Sequence, residues 1–301
     1  ASLNALTPNA ELVHQCQQLD TRKIVYTGSP AILARQILRR VGFIEDDFEQ
    51  FAAKLDVKDV HFIPISALRG DNVVHRSENM KWYDGSTLMY YLENVHIASD
   101  HNFIDTRFPV QTVIRPYNDE FHDYRGYAGR TAGGSIKIGD TVVALPSGFS
   151  SKVKGIVGPS GDQEITYPPQ SVTILLEDDI DISRGDMLVR DNNRPESTQD
   201  VDVMLCWFDN AKTLTPRGKY AIKHTTQDAR CIIKEVMYKL DINTLSRDLE
   251  DKELNMNDIG RVKLRITKPL FIDSYRKNRV TGSIILIDEG SNNTVAAGMI
   301  I

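Results

Sequence analysis

The residue types that could do chemistry are present, but their spacing assembles almost none of it. The seven histidines (His14, His61, His75, His96, His101, His122 and His224) make no His-Glu-x-x-His and join no cysteine cluster. A bound zinc would need one or the other. Cys16, Cys206 and Cys231 lie far apart and make no Cys-x-x-Cys pair, which suits reduced thiols in a core. No serine, histidine and acid, and no cysteine with histidine, fall in an order that builds an activated nucleophile. A triphosphate is held by Gly-x-x-x-x-Gly-Lys-Ser/Thr, whose amides and lysine grip the phosphates. These 301 residues contain no such run, and Gly218-Lys219 lacks both the upstream glycine and the following hydroxyl. The guanine-selecting Asn-Lys-x-Asp is missing too, and Asp123-Tyr124-Arg125-Gly126 matches the metal-side Asp-x-x-Gly by letters alone.

Two charge runs remain. Glu177-Asp178-Asp179 with Asp181 reads as a solvated turn. Lys268, Arg276, Lys277 and Arg279 read as a solvated basic face, with a docking surface as the sharper alternative.

The elements that would position these groups fall into two textures. Residues 1–100 read as α/β: a β-rich run over 23–27 closed by Gly28-Ser29-Pro30, helices over 31–41 and 46–55, a compact apolar run over 60–65 and a helix over 86–95. The 60–65 run suits a buried parallel strand. The 86–95 helix carries Leu88, Met89, Tyr91, Leu92 and Val95 at helical spacing. From about residue 108, runs of four to seven β-formers alternate with Gly, Pro, Asn and Asp turns, the pattern of a barrel or sandwich. Strands are expected over 110–114, 124–128, 141–145, 153–157, 171–176 and 187–189. After a polar stretch over 191–200, which reads as a linker, more are expected over 201–208, 219–224, 230–240, 260–267 and 282–288. The strand at 23–27 followed directly by a helix is where a phosphate loop would sit, and only Pro30 stands between them. An excised loop and an unrelated N-terminal extension fit that segment equally.

Bulk composition narrows the partners. A net charge of −5 provides no global field for nucleic acid or anionic lipid. No run of eighteen apolar residues occurs, and the start Ala-Ser-Leu-Asn-Ala lacks the basic opening of a secretory signal. The expectation is a cytoplasmic protein without a membrane partner, and a nucleic-acid partner is not expected.

Family resemblance sharpens this outline. Val203-Met204-Leu205-Cys206-Trp207, Arg217-Gly218-Lys219-Tyr220-Ala221-Ile222-Lys223-His224, Asn257-Asp258-Ile259-Gly260, Lys268-Pro269-Leu270 and Arg279-Val280-Thr281-Gly282-Ser283-Ile284 resemble, in order and spacing, the third domain of the elongation factor Tu and 1-alpha family. Arg125-Gly126-Tyr127-Ala128-Gly129-Arg130, Gly139-Asp140 and Leu145-Pro146-Ser147-Gly148 are similar to that family's second barrel. Phe62-Ile63-Pro64-Ile65-Ser66-Ala67-Leu68-Arg69-Gly70-Asp71-Asn72-Val73-Val74, followed by Ser77-Glu78-Asn79-Met80-Lys81-Trp82-Tyr83, resembles the GTPase-type large subunit of bacterial sulfate adenylyltransferase. The resemblance covers roughly residues 46–301.

It implies a mainly β chain: a truncated α/β remnant of a nucleotide domain over 1–100, then antiparallel β-barrels over 101–195 and 196–301. It also implies that Ser66, Ala67 and Leu68 form the guanine-contacting loop, with no phosphate-binding, catalytic or metal residue. GTP and Mg²⁺ are the cofactors of the intact family, and none is expected for this chain alone. The implied partner is the small catalytic subunit, which makes adenylyl sulfate from ATP and sulfate. A non-enzymatic protein- or RNA-binding barrel module is the alternative.

Overall fold

The computed structural model describes residues 61–95, 101–116, 124–242 and 244–301. The expected run over 23–27 and the helices over 31–41 and 46–55 lie outside the described residues. The chain divides into two compact units, Ala1–Ile97 and Ala98–Ile301.

In the first unit, residues 61–65 bury Phe62, Ile63 and Pro64 but form no strand with any described residue, which corrects the parallel strand expected there. Apolar burial is what the sequence run encodes. A strand also needs a ladder partner, and none of the described residues supplies one. Helix α1 spans Leu88–Asn94, shorter than expected, with Thr87 as N-cap accepting from the Tyr90 amide. None of its residues is buried: Met89 and Leu92 are exposed, Leu88 is half-buried, and the half-buried Tyr91 ring lies 4.8 Å from that of His61.

The second unit is built from strands. Its first half comprises β1 (Arg107–Ile114), β2 (Gly126–Arg130), β3 (Ile136–Lys137), β4 (Thr141–Leu145), β5 (Ser150–Gly158), β6 (Gly161–Gln163), β7 (Ile165–Thr166), β8 (Ser171–Leu176) and β9 (Met187–Val189). The order β4-β9-β1-β2-β8-β5 closes through β4–β5 pairing into a six-stranded antiparallel barrel; β6 extends β5, and β3 pairs β7 apart from it. Closure works because period-two alternation sends Val142, Ala144, Val153, Ile156, Val172 and Ile174 inward. Gly139, at φ +85°, makes the turn into β4, where the Asp140 carboxylate accepts from the Lys137 amide. That backbone region suits glycine.

The second half comprises β10 (Glu196–Trp207), β11 (Lys219–His224), β12 (Gln227–Leu240), β13 (Arg247–Asp248), β14 (Ile259–Ile272), β15 (Ser283–Ile287) and β16 (Thr294–Ile300). The order β11-β15-β16-β10-β14-β12 closes through β11–β12 into a second six-stranded barrel around Val203, Leu205, Trp207, Ile233, Val262 and Leu264. The expectation of two antiparallel barrels is met. The linker expected over 191–200 is corrected. Residues 196–200 belong to β10, where Glu196, Ser197 and Thr198 pair with Ile272, Phe271 and Leu270. Polar side chains hid a backbone that β14 holds in register.

Candidate functional site

The loop expected to contact guanine is a tight, self-braced turn. The Ser66 amide donates to the Asp71 carbonyl (3.1 Å) and the Gly70 amide to the Ser66 carbonyl (2.8 Å), which closes residues 66–71 on themselves. Asn72 holds the base of the turn. Its Nδ2 donates to the Pro64 carbonyl (2.9 Å), and its Oδ1 accepts the Ser77 amide (2.8 Å). Asn72 sits at φ +55°, a left-handed position that asparagine tolerates better than most residues. Asp71 Oδ1 accepts from Ser77 Oγ (2.6 Å) and Asn79 Nδ2 (3.1 Å).

This bracing leaves Ser66 buried while Ala67 and Leu68 project, Leu68 being 93% exposed. The Ala67 and Leu68 amides have no acceptor among the described residues. The turn therefore offers free backbone N–H groups on a rigid base, the chemistry that a purine carbonyl oxygen would use. The neighbouring network was not legible beforehand: Asp71, Asn72, Ser77 and Asn79 stand in the stretches that carry the family resemblance, but nothing in their spacing showed that their side chains meet.

A second polar cluster lies where the two barrels meet, and no motif pointed to it. Arg107 at the start of β1 is fully buried and forks onto Asp273, just past β14, through Nε–Oδ2 (2.8 Å) and Nη2–Oδ1 (2.9 Å). Its remaining nitrogen, Nη1, donates to the carbonyls of Thr106 and Asn193. Thr281 Oγ1 donates to Asp273 Oδ2 (2.7 Å), and Lys277 reaches Asp105 (3.2 Å) and Asp273 (3.7 Å). Asn278 Nδ2 crosses to the Ala132 carbonyl (3.0 Å). Gly133 permits that approach, since a Cβ there would stand 2.8 Å from Asn278 Nδ2 and 2.3 Å from the Asp105 carbonyl oxygen.

Burial pushes the Asp273 carboxyl up, but the hydrogen bonds from Arg107 and Thr281, with the charges of Arg107 and Lys277, hold it below its ordinary value. His224, almost wholly buried, is pushed down by desolvation against the opposing pull of the Thr281 carbonyl and Asp273. Lys268, Arg276, Lys277 and Arg279 are all exposed, as the solvated basic face expected from sequence requires; Lys277 reaches into the seam from that face, and the Arg279 guanidinium stands 5.9 Å from the Tyr275 ring centre. An apolar patch of Val143, Leu145, Met187 and Val189 under Phe271 of β14 completes the contact.

Among the described residues no group of three or more histidine, cysteine or acidic side chains could hold a metal, and no helix is long and apolar enough to cross a membrane. Burial pushes the Cys231 thiol up to about 12, which keeps it protonated and inert.

Two closed barrels joined by a buried seam are the barrel pair of a translation-factor-type GTPase, and residues 200–301 match the family described as GTP-eEF1A C-terminal domain-like. Over most of its length the chain is also similar to the large subunits of sulfate adenylyltransferase. It is 50% identical over 258 residues to the bifunctional enzyme CysN/CysC of Mycobacterium tuberculosis (strain CDC 1551 / Oshkosh), covering 86% of this chain and 42% of that protein. It is 46% identical over 258 residues to sulfate adenylyltransferase subunit 1 of Pseudoalteromonas atlantica, covering 86% of this chain and 54% of that protein. The chain thus spans about half the length of the curated relatives it matches. Among solved structures, Sup35 complexed with GDP superposes with a TM-score of 0.60 at 20% identity, over 88% of this chain and 62% of that one. At that identity the likeness speaks for the fold.

Proposed function

We propose that this chain is the barrel-bearing part of a sulfate adenylyltransferase large subunit, which works with a small catalytic subunit that makes adenylyl sulfate and pyrophosphate from ATP and sulfate. The observation that carries this reading is 46–50% identity over 86% of the chain to proteins of that name. In this reading the barrels dock the small subunit in the cytoplasm, with no membrane and no nucleic acid involved. The catalytic groups for adenylyl transfer belong to the partner. A barrel module that only binds protein or RNA is less well supported, because the named relatives are enzymes and the net charge of −5 offers RNA no general attraction.

Mixing this chain with the small subunit tests the reading. The expected result is co-purification as a stable complex, with sulfate-dependent pyrophosphate release that needs both chains to reach its full rate. Absence of any complex, together with retention of an unrelated RNA or protein, would favour the alternative.

Ser66, Ala67 and Leu68 are the residues we assign to the guanine carbonyl oxygen. The free Ala67 and Leu68 amides support the fit, whereas these 301 residues hold no phosphate loop to grip GTP or position Mg²⁺. Phosphate contacts supply most of the affinity in this class, so a fluorescent GDP analogue should bind more weakly than about 1 mM. Anisotropy titration checks this. Micromolar binding would show that residues 1–60 hold phosphates in a way their sequence does not announce.

A further inference from the structure

A cleft of about 590 Å³ lies between the barrels. Its floor is the outer face of β1, β2 and β8, where Pro109, Ala128 and Gly129 leave a shallow apolar trough, and Val280 closes it from the second barrel. Arg130 is the one charged residue lining it, and no carboxylate among the described residues pairs with it. Its Nε donates to the Pro169 carbonyl (3.1 Å), which fixes the guanidinium while leaving the outer nitrogens unengaged among the described residues. Gln111, Ser171 and Thr173 add uncommitted polar groups to the wall.

The two-residue turn between β11 and β12 enters the same cleft with Thr225 and Thr226. Thr225 sits at φ +51°, a costly backbone position for a β-branched residue. The Thr226 hydroxyl oxygen is buried with no hydrogen-bond partner, a state that normally costs free energy. Strain and an unsatisfied hydroxyl in one turn are features that gather at ligand sites.

We infer that this cleft binds a small amphipathic monoanion, an apolar body carrying one carboxylate or sulfonate head. The body lies on the trough. Arg130 takes the head through its free fork, which two parallel N–H donors match well. A dianion or a cation is disfavoured, since the lining offers one positive charge and no acid. The size is that of ordinary small-molecule sites, which are mostly apolar with a few converging polar groups. This inference does not rest on the sulfate adenylyltransferase reading.

Titration of the full chain with 8-anilinonaphthalene-1-sulfonate, followed by fluorescence, tests it. N-phenyl-1-naphthylamine, which keeps the rings without the sulfonate, serves as the neutral control. Arg130→Gln, at an exposed position, should weaken binding of the sulfonate at least tenfold, about what losing one charge-assisted contact removes, and should alter that of the control less than about twofold. Ser171→Trp, or Gln111→Trp from the opposite wall, should fill the trough and abolish binding of both probes, with circular dichroism melting confirming that the variants fold. Unchanged sulfonate binding in Arg130→Gln, or binding of either probe that survives both trough-filling variants, overturns the inference.

Discussion

Replacing Arg107 with methionine should destabilise the second unit by about 3–5 kcal/mol, a fall in Tm on the order of 10 °C for a unit this size. The cost is not the worth of the ion pair itself. Asp273 would keep its buried carboxylate with only Thr281 Oγ1 and the more distant Lys277 to hold it, and an uncompensated buried charge is the expensive state. Removing both charges, as Arg107→Met with Asp273→Leu, should recover most of the loss. A loss below about 1 kcal/mol in the single variant would mean that water reaches the seam and solvates the acid.

Acid should erase the same contribution. The folded state holds the Asp273 carboxyl below its ordinary value, so the unfolded chain takes up the proton first as pH falls. Stability from this group is complete above the ordinary carboxylate pKa of about 3.9 and drains away as pH drops through the lowered folded value. Urea melts of wild type and Arg107→Met should therefore converge in strong acid and separate at neutral pH.

Trp207→Ala should cost about 3–5 kcal/mol, through lost burial and the cavity it leaves. Trp207 is fully buried in the second barrel, its ring meets Tyr220 edge-on at 5.5 Å, and its Nε1–H donates to the Lys212 carbonyl (2.7 Å). Trp207→Phe retains most of the packing and gives up the hydrogen bond, so its cost should be smaller, about 1–3 kcal/mol. Urea melts followed by far-ultraviolet circular dichroism separate the two, since both variants lose Trp207 as a fluorescence reporter of this barrel. Equal costs for the two variants would show that the hydrogen bond to Lys212, and not the packed volume, secures this position.

The barrels were legible because alternation and turn residues are local signals. Strands β4, β8, β9 and β11 begin and end where the sequence places them. Where the sequence misled, the deciding partner was distant. Residues 196–200 read as linker because polar side chains carry no apolar alternation, yet β14 pairs with them from across the barrel. Strand β16 announces itself poorly: Ala296, Ala297 and Gly298 have little strand preference and are held by β10 and β15. The seam was invisible for the same reason, Arg107 and Asp273 being 166 positions apart with no motif spacing to link them. Residues Ser66 to Leu68 were flagged by resemblance alone. The bracing that shapes their turn came into view with Asp71 and Asn72 in place.

Both barrels are closed circles. Among the described residues the strands with an open flank are the short ribbons β6 and β13 and the two-stranded β3–β7 pair. A visiting polypeptide consequently finds no long row of vacant amides and carbonyls on which to lay down an additional strand. Whatever this unit recognises, it must read through side chains, turns and clefts. Tolerance of the surface to substitution should then be uneven, with backbone-neutral changes on the outer faces altering recognition while the barrels themselves stand unchanged.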